Sequence, residues 1–305
     1  MTNLFIRTPM EAKALRASPF KTEDEFERMI FDTPDLLGDI SLITRQIRSG
    51  NKHGIPDIIG VDSDGNVCIV ELKNEAVDSS IIPQVLNYAF WAETNPDSIK
   101  TLWLEWDDKP DDIVVTWEKL QVRIIVIAPS VLRSTLDLVD KINYQVDLIE
   151  VKRWVAGDEN EILSVNKLEQ ETKGQTKPVS GMPQYDETYY KTIYNSTSVD
   201  HFMKYARDLD QYVKKQNWDL EVKFNKYYCG FKVGFFNAFG IAWIGTKSFA
   251  FFLMLPKDQA ETVDIAMSRY ETQWKRALYN IEPGKTKIQE FKRLFELAYK
   301  KLGGE

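Results

Sequence analysis

Residues 45–91, RQIRSGNKHGIPDIIGVDSDGNVCIVELKNEAVDSSIIPQVLNYAFW, decide how this chain folds and what chemistry it can carry. Short apolar runs bounded by turn formers read as strands, Ile55 to Val61 and Asn66 to Lys73, joined by the hairpin turn Asp62-Ser63-Asp64-Gly65. Upstream, Ser41 to Arg48 supplies another strand, and downstream the spacing becomes helical from Ser79 to Glu93. Side chains alternate along a strand, so Cys68, Val70 and Leu72 point to one face while Ile69, Glu71 and Lys73 point to the other. Charged residues thus occupy positions that a purely structural sheet gives to apolar ones. Asp57 follows Pro56 on the preceding strand and falls level with Glu71 if the hairpin pairs close to its turn. Two carboxylates and an ammonium group then converge.

Hydrolysis of a phosphodiester needs such a trio. Asp57 and Glu71 are candidate ligands of a hard divalent cation, Mg²⁺ or Mn²⁺, which polarises a phosphoryl group and lowers the pKa of bound water. Lys73 is placed to position or deprotonate that water and to offset developing charge. The backbone carbonyl of Leu72 is a candidate third ligand. The functionless alternative is an exposed ion pair between Glu71 and Lys73, worth about 0.2 to 1 kcal/mol.

Pro56-Asp57 and Glu71-Leu72-Lys73, with thirteen residues between the two acids, resemble the signature of the PD-(D/E)XK nuclease superfamily. The hairpin GIPDIIGVDSDGNVCIVELK and the following QVLNYAFW look most like its NucS-type endonuclease branch. The resemblance implies a restriction-endonuclease-like α/β fold, a mixed sheet flanked by helices, and a metal-dependent endonuclease acting on DNA in repair, restriction or defence. It also implies that Gln84, one helical turn before Tyr88, fixes the lysine or the water. An acid from the first helix should approach the metal; Glu27 and Glu23 are both candidates, with Glu27 preferred. Helix, hairpin, Asp57, Glu71, Lys73 and Gln84 occur together in the required order, which favours the catalytic reading over a bare ion pair. A non-hydrolytic nucleic-acid-binding or protein-interaction module is the rival, but a binder has no need of both carboxylates and the lysine.

The chain has 305 residues, enough for two domains at the usual domain size. Large aliphatics nearly vanish over 168–187, LEQETKGQTKPVSGMPQYDE, the composition of a linker between a nuclease domain over 1–167 and a smaller α+β domain over 188–305. Before the linker, Thr22 caps a helix ending near Thr33-Pro34, Arg123 to Ala128 is a buried strand, Ser130 to Lys141 is helical and Gln145 to Val155 extended. After it, Val199 to Val213 and Lys287 to Leu302 are helices around a meander of three or four strands from Leu220 to Leu255. The second half loosely resembles an accessory domain found with such nucleases, which implies substrate recognition or dimerisation. Cutting both strands of a duplex with one cleft per chain favours a two-fold homodimer.

Net charge is −7, yet residues 186–305 carry +4 and the remainder −11, so the total is neutral evidence about a nucleic-acid partner. Cys68 and Cys229 sit far apart in apolar runs and read as reduced core residues of a cytoplasmic protein. No run of 18 apolar residues addresses the chain to a membrane. His53 and His201 are too isolated for a zinc site, and Asp62 to Asn66 suits a hairpin turn better than a Ca²⁺ loop. Eleven of thirteen tyrosines lie at or after Tyr185, with Phe235, Phe236, Phe239 and Trp243 close by. Beside Lys223, Lys226 and Lys232 such aromatics could stack bases, although core packing is the commoner use. Lys287, Lys292, Arg293, Lys300 and Lys301 form a solvated helix face.

Overall fold

The computed structural model describes residues 4–7, 9–45, 56–110, 113–156, 160–168, 185–234, 236–272 and 274–304. These group into two compact units: most residues up to Leu168 form the first, and those from Tyr185 onward form the second, which also takes in Leu37–Asp39 and Asp107–Val114. Arg48, Lys52, His53, Phe235 and most of the expected linker lie outside the described residues. Among the described residues, no helix is long and apolar enough to cross a membrane.

In the first unit, helix α1 (Glu23–Asp32) begins where the Thr22 hydroxyl accepts the Glu25 amide at 3.1 Å. Glu23, Asp24 and Glu25 then load its first turn with acid, the charge that the partly positive helix start favours. Phe26, Glu27 and Ile30 face inward, and the helix stops at Thr33 because Pro34 disfavours helical backbone before it.

The sheet begins as an antiparallel meander of β1 (Ile40–Arg45), β2 (Ile58–Asp62) and β3 (Val67–Leu72). Helices α2 (Ile82–Thr94) and α3 (Pro96–Glu105) follow, and the chain returns through β4 (Val122–Ala128), parallel to β3. After α4 (Arg133–Val139), β5 (Gln145–Ala156) runs parallel to β4, and β6 (Asn160–Lys167) folds back antiparallel on β5. Strand order is β6-β5-β4-β3-β2-β1, with Arg16–Ala17 as a seventh strand against β5. The result is a mixed α/β sheet. Every residue of β3 and β4 is buried, as expected of central strands covered on both faces.

The hairpin between β2 and β3 is fastened by its own polar residues. Asp62 Oδ1 accepts the amides of Asp64 and Asn66, while Asn66 Nδ2 donates to Asp62 Oδ2 at 3.0 Å. Gly65 takes φ 79°, a conformation open to glycine at little cost. At Gly60 a side chain would meet the Ser41 carbonyl at 2.7 Å, so glycine is what lets β1 and β2 approach. Arg123 on β4 lies 3.2 Å from Asp62 and 2.6 Å from Asp147, and Lys167 lies 2.8 Å from the other Asp147 oxygen. This buried network ties the turn to three further strands.

The structure departs from the expected helix at Ser130 to Lys141. Ser130–Val131 is instead a short strand parallel to Ala76–Val77, and the helix occupies only Arg133–Val139. The backbone at Leu132 donates to Val77 rather than starting a helix, because that tertiary pairing outweighs local propensity.

The second unit contains α5 (Glu187–Ile193), α6 (Ser196–Lys215) and the strands β7 (Glu221–Phe224), β8 (Tyr228–Val233), β9 (Phe236–Trp243) and β10 (Phe249–Leu253). Then come β11 (Arg269–Glu271), β12 (Arg276–Asn280) and α7 (Lys292–Lys301). Its antiparallel sheet is ordered β7-β8-β9-β10-β12-β11 and has six strands, two beyond the expected meander. Phe202, Leu209 and Tyr212 of α6 and Leu294 and Phe295 of α7 pack with Phe231, Phe239, Trp243 and Phe251 of the sheet. Phe239 and Trp243 are therefore core residues rather than stacking surfaces.

Candidate active site

The site forms at the end of the β2–β3 hairpin away from its turn. Ile58 pairs with Val70 and Ile59 with Ile69, and the same register carries Asp57 level with Glu71. Asp57 Oδ2 accepts the Leu72 amide at 2.8 Å, which fixes the acid against the neighbouring strand. The next amide, Lys73, turns the other way and donates to the Ile127 carbonyl of β4.

Glu71 is 1% exposed, and its Oε1 accepts Lys73 Nζ at 2.6 Å and Gln84 Nε2 at 2.7 Å. Gln84 reaches it from the first turn of α2, where its amide also donates to the Tyr88 hydroxyl at 2.6 Å. The Gln84 and Tyr88 side chains meet because residues four apart share a helix face. Lys73 in turn lies 3.6 Å from Glu23 Oε1 of α1. The following residue, Asn74, donates to the Phe20 carbonyl at 2.8 Å and anchors this corner beside the start of α1. No sequence signal marks Asn74 for that role.

The two first-helix acids part company. Glu23 stands beside Lys73, whereas Glu27 is buried with an oxygen 3.5 Å from Arg45 Nε of β1. Four residues apart, they share one face of α1, so spacing alone does not separate them.

Electrostatics mark the trio as tightly linked. Burial and the adjacent Asp57 charge push Glu71 up to about 8, against the opposing pull of Lys73. Burial also raises Asp57, with the Leu72 amide and Lys73 opposing it. For Lys73, burial acts downward, but contact with the Glu71 carboxylate outweighs it and the ammonium form is favoured. Glu71 Oε2 is buried and accepts no hydrogen bond among the described residues. Two neighbouring buried acids, the Asp57 charge disfavouring ionisation of Glu71 and Glu71 bearing an unsatisfied buried oxygen, fit a hard cation held by oxygen ligands. Among the described residues, no group of three or more His, Cys, Asp or Glu side chains is arranged to hold a metal. A cation here therefore needs backbone or solvent oxygens beside Asp57 and Glu71, and the Leu72 carbonyl is the candidate.

Fold and site together define a class: a mixed α/β sheet bearing two carboxylates, a lysine and a helix-borne glutamine at one end of its central hairpin. The chain is similar to NucS-type endonucleases. It is 30% identical over 139 residues to Endonuclease NucS of Pyrococcus horikoshii, across 45% of this chain and 44% of that relative. Against Endonuclease NucS of Pyrococcus abyssi it is 29% identical over 139 residues, with the same shares of the two chains. The match thus spans less than half the length of these curated relatives. A crystal structure of a repair endonuclease from Pyrococcus abyssi is 27% identical with a TM-score of 0.29, covering 44% of this chain and 49% of that one. No family model matches the chain.

Proposed function

We propose that the first unit is a metal-dependent DNA endonuclease of the restriction-endonuclease-like fold, hydrolysing phosphodiester bonds in DNA repair, restriction or defence. The observation that carries this reading is the convergence of Lys73 and Gln84 on one oxygen of Glu71, with Asp57 level beside it. Asp57 and Glu71 would hold Mg²⁺ or Mn²⁺ with the Leu72 carbonyl. When bound, that ion supplies Lewis acidity and a water of lowered pKa.

The chain's own residues do the rest. Asp57, tied to the Leu72 amide, and Glu71, held by two donors, keep their oxygens fixed before substrate arrives. Lys73 positions the attacking water and offsets the charge that develops on the phosphoryl oxygen. Gln84 orients Glu71, and Tyr88 holds Gln84 in turn. Glu23 limits the free charge of Lys73 from the α1 side. The second unit is assigned to substrate recognition or dimerisation, and a homodimer would bring two such sites to opposite strands.

Incubation of the full chain with plasmid, mismatched and branched DNA in Mg²⁺ or Mn²⁺, beside Lys73→Ala, tests the reading. Wild-type cleavage that the variant loses is expected. No cleavage by either protein with any metal overturns it, and equal cleavage by both assigns the activity elsewhere.

A further inference from the structure

Ahead of the first helix, Phe5–Arg7 and Ala12–Ala14 pair antiparallel as a two-stranded ribbon that joins neither large sheet. All six of its residues are exposed, so the ribbon buries no core of its own. A hairpin of that kind is at best marginally stable alone in water. Its root, by contrast, is fastened. Arg16–Ala17 pairs with β5, Arg153 donates to the Ser18 carbonyl at 2.8 Å, and the same guanidinium lies 4.2 Å from the centre of the Phe20 ring. The base is held and the length is bare.

The ribbon leaves the sheet at the end that carries the candidate site. β3, β4 and β5 run parallel, with Glu71 level with Val126 and Ala128, the last residue of β4, level with Glu150. β5 continues to Ala156, and Arg16–Ala17 pairs with Val155 and Trp154 on that overhang. Phe20 then accepts Asn74, and Glu23 stands beside Lys73. Seven residues separate Arg16 from Glu23, a reach of at most about 25 Å.

Charge singles out the same segment. Residues 4–21 hold four basic residues and one acid, whereas residues 22–185 carry a net −14. Around the site the cations are paired: Arg28, Arg45, Lys73 and Arg153 each contact a carboxylate. Among the described residues, Arg7, Lys13 and Arg16 form no ion pair, and all three are exposed within ten positions of chain. Lys100, Lys119, Arg133 and Lys141 also lack one, but they come from separate places on α3, α4 and the connecting segments.

We infer that the ribbon is an arm that grips the phosphate backbone of duplex DNA beside the bond presented to Asp57 and Glu71, with Arg7, Lys13 and Arg16 as the contacting cations. The inference rests on the reading of the first unit as a DNA endonuclease and adds to it the surface that holds the substrate. An acidic unit needs local positive charge to hold a polyanion at its site. A two-stranded ribbon is also an element that the major groove admits, and Ala12 and Ala14 keep this one slim. A partner drawn only to the exposed Phe5 and Ile6 would have no use for three unpaired cations.

The test measures binding of a short DNA duplex to the full chain by fluorescence anisotropy in EDTA, across a salt series. Arg7→Ala/Lys13→Ala/Arg16→Ala is compared with wild type and with Lys100→Ala/Lys119→Ala/Arg133→Ala, which removes equal charge elsewhere. Each lost phosphate contact lowers the slope of log affinity against log salt by about 0.9, so the ribbon variant should lose about 2 to 3 units of slope and bind tenfold or more weakly. Its melting temperature should match wild type, because the three side chains are exposed and unpaired. The inference is overturned if wild type does not bind the duplex, if the ribbon variant keeps the wild-type slope, or if the control variant loses as much. Loss of a wild-type dimer by the ribbon variant at unchanged slope overturns it too and makes the ribbon a contact between copies. Cleavage in Mg²⁺ is read separately. Binding that depends on the ribbon without cleavage in any metal would sink the nuclease reading and leave a duplex-binding arm; cleavage with ribbon-independent binding would do the reverse.

Discussion

Gln84 donates to the same oxygen of Glu71 that Lys73 holds, so one carboxylate atom is fixed at once from a helix and from its own strand. Two donors on one oxygen leave the other free to face a cation. Gln84→Leu removes one anchor and keeps the helix. Partners that orient metal ligands typically contribute about 10- to 100-fold to metal affinity or activity, and a loss of that size is expected here. Nicking rates across a Mg²⁺ titration should show a higher half-saturating concentration; a rate and half-saturation matching wild type would exclude the orienting role.

Glu71 also predicts a pH dependence of stability. Its carboxyl is raised to about 8 in the fold from an ordinary 4.5, so the folded state favours the neutral form. That contribution is fully present below the unfolded value of 4.5 and is lost as pH rises through about 8. In EDTA, Glu71→Gln stays neutral throughout and should gain melting temperature relative to wild type between these limits. Parallel curves for the two proteins would refute the shift. Mg²⁺ should stabilise wild type more at the upper end of that window, where the carboxylate is ionised.

The two acids of α1 should separate by phenotype. Glu23→Gln removes the carboxylate beside Lys73 and should lower cleavage while leaving the melting temperature near that of wild type. Glu27→Gln alters a buried acid beside Arg45, and breaking a buried pair typically costs about 3 to 5 kcal/mol. Urea unfolding together with cleavage rates reads both, and the reverse pattern would assign the site role to Glu27.

Arg123 is held between Asp62 and Asp147 on neighbouring strands. Burial pushes Asp147 up, but Arg123 and Lys167 outweigh it and hold the carboxyl well below the usual carboxylate range. Its stabilisation is present above the unfolded value of 3.8 and fades as pH falls below it. Arg123→Met removes the cation shared by two buried carboxylates, leaving Asp147 with Lys167 alone and Asp62 with its own turn donors, and should cost about 3 kcal/mol near neutral pH. The loss should shrink in acid, where those carboxylates gain protons. Denaturant midpoints across pH measure this, and an equal loss at every pH would contradict the assigned pairing.

Much of the first unit is legible in the sequence because its central strands are short apolar runs between strong turn formers. The alignment of Asp57 with Glu71 follows from the two-residue period of a strand and the place of Asp62 to Gly65. Other elements were hidden for physical reasons. β6, NEILSVNK, lies at the sheet edge and needs little apolar patterning, and β11 and β12 carry Arg and Glu on half-exposed surfaces. Ser130–Val131 is a strand only because Ala76–Val77 lies alongside. Asn74 reaches Phe20 across 54 residues, a contact that no local pattern announces.

The turn from Asp62 to Asn66 thereby acts as a gauge. A strand shifted by one residue shows its opposite face, so a single insertion in that turn would carry Glu71 and Lys73 to the wrong side of the sheet with no contacting atom changed. The reach of Asp62 across its own turn, and its hold on Arg123, keep that measure true from the far end of the hairpin.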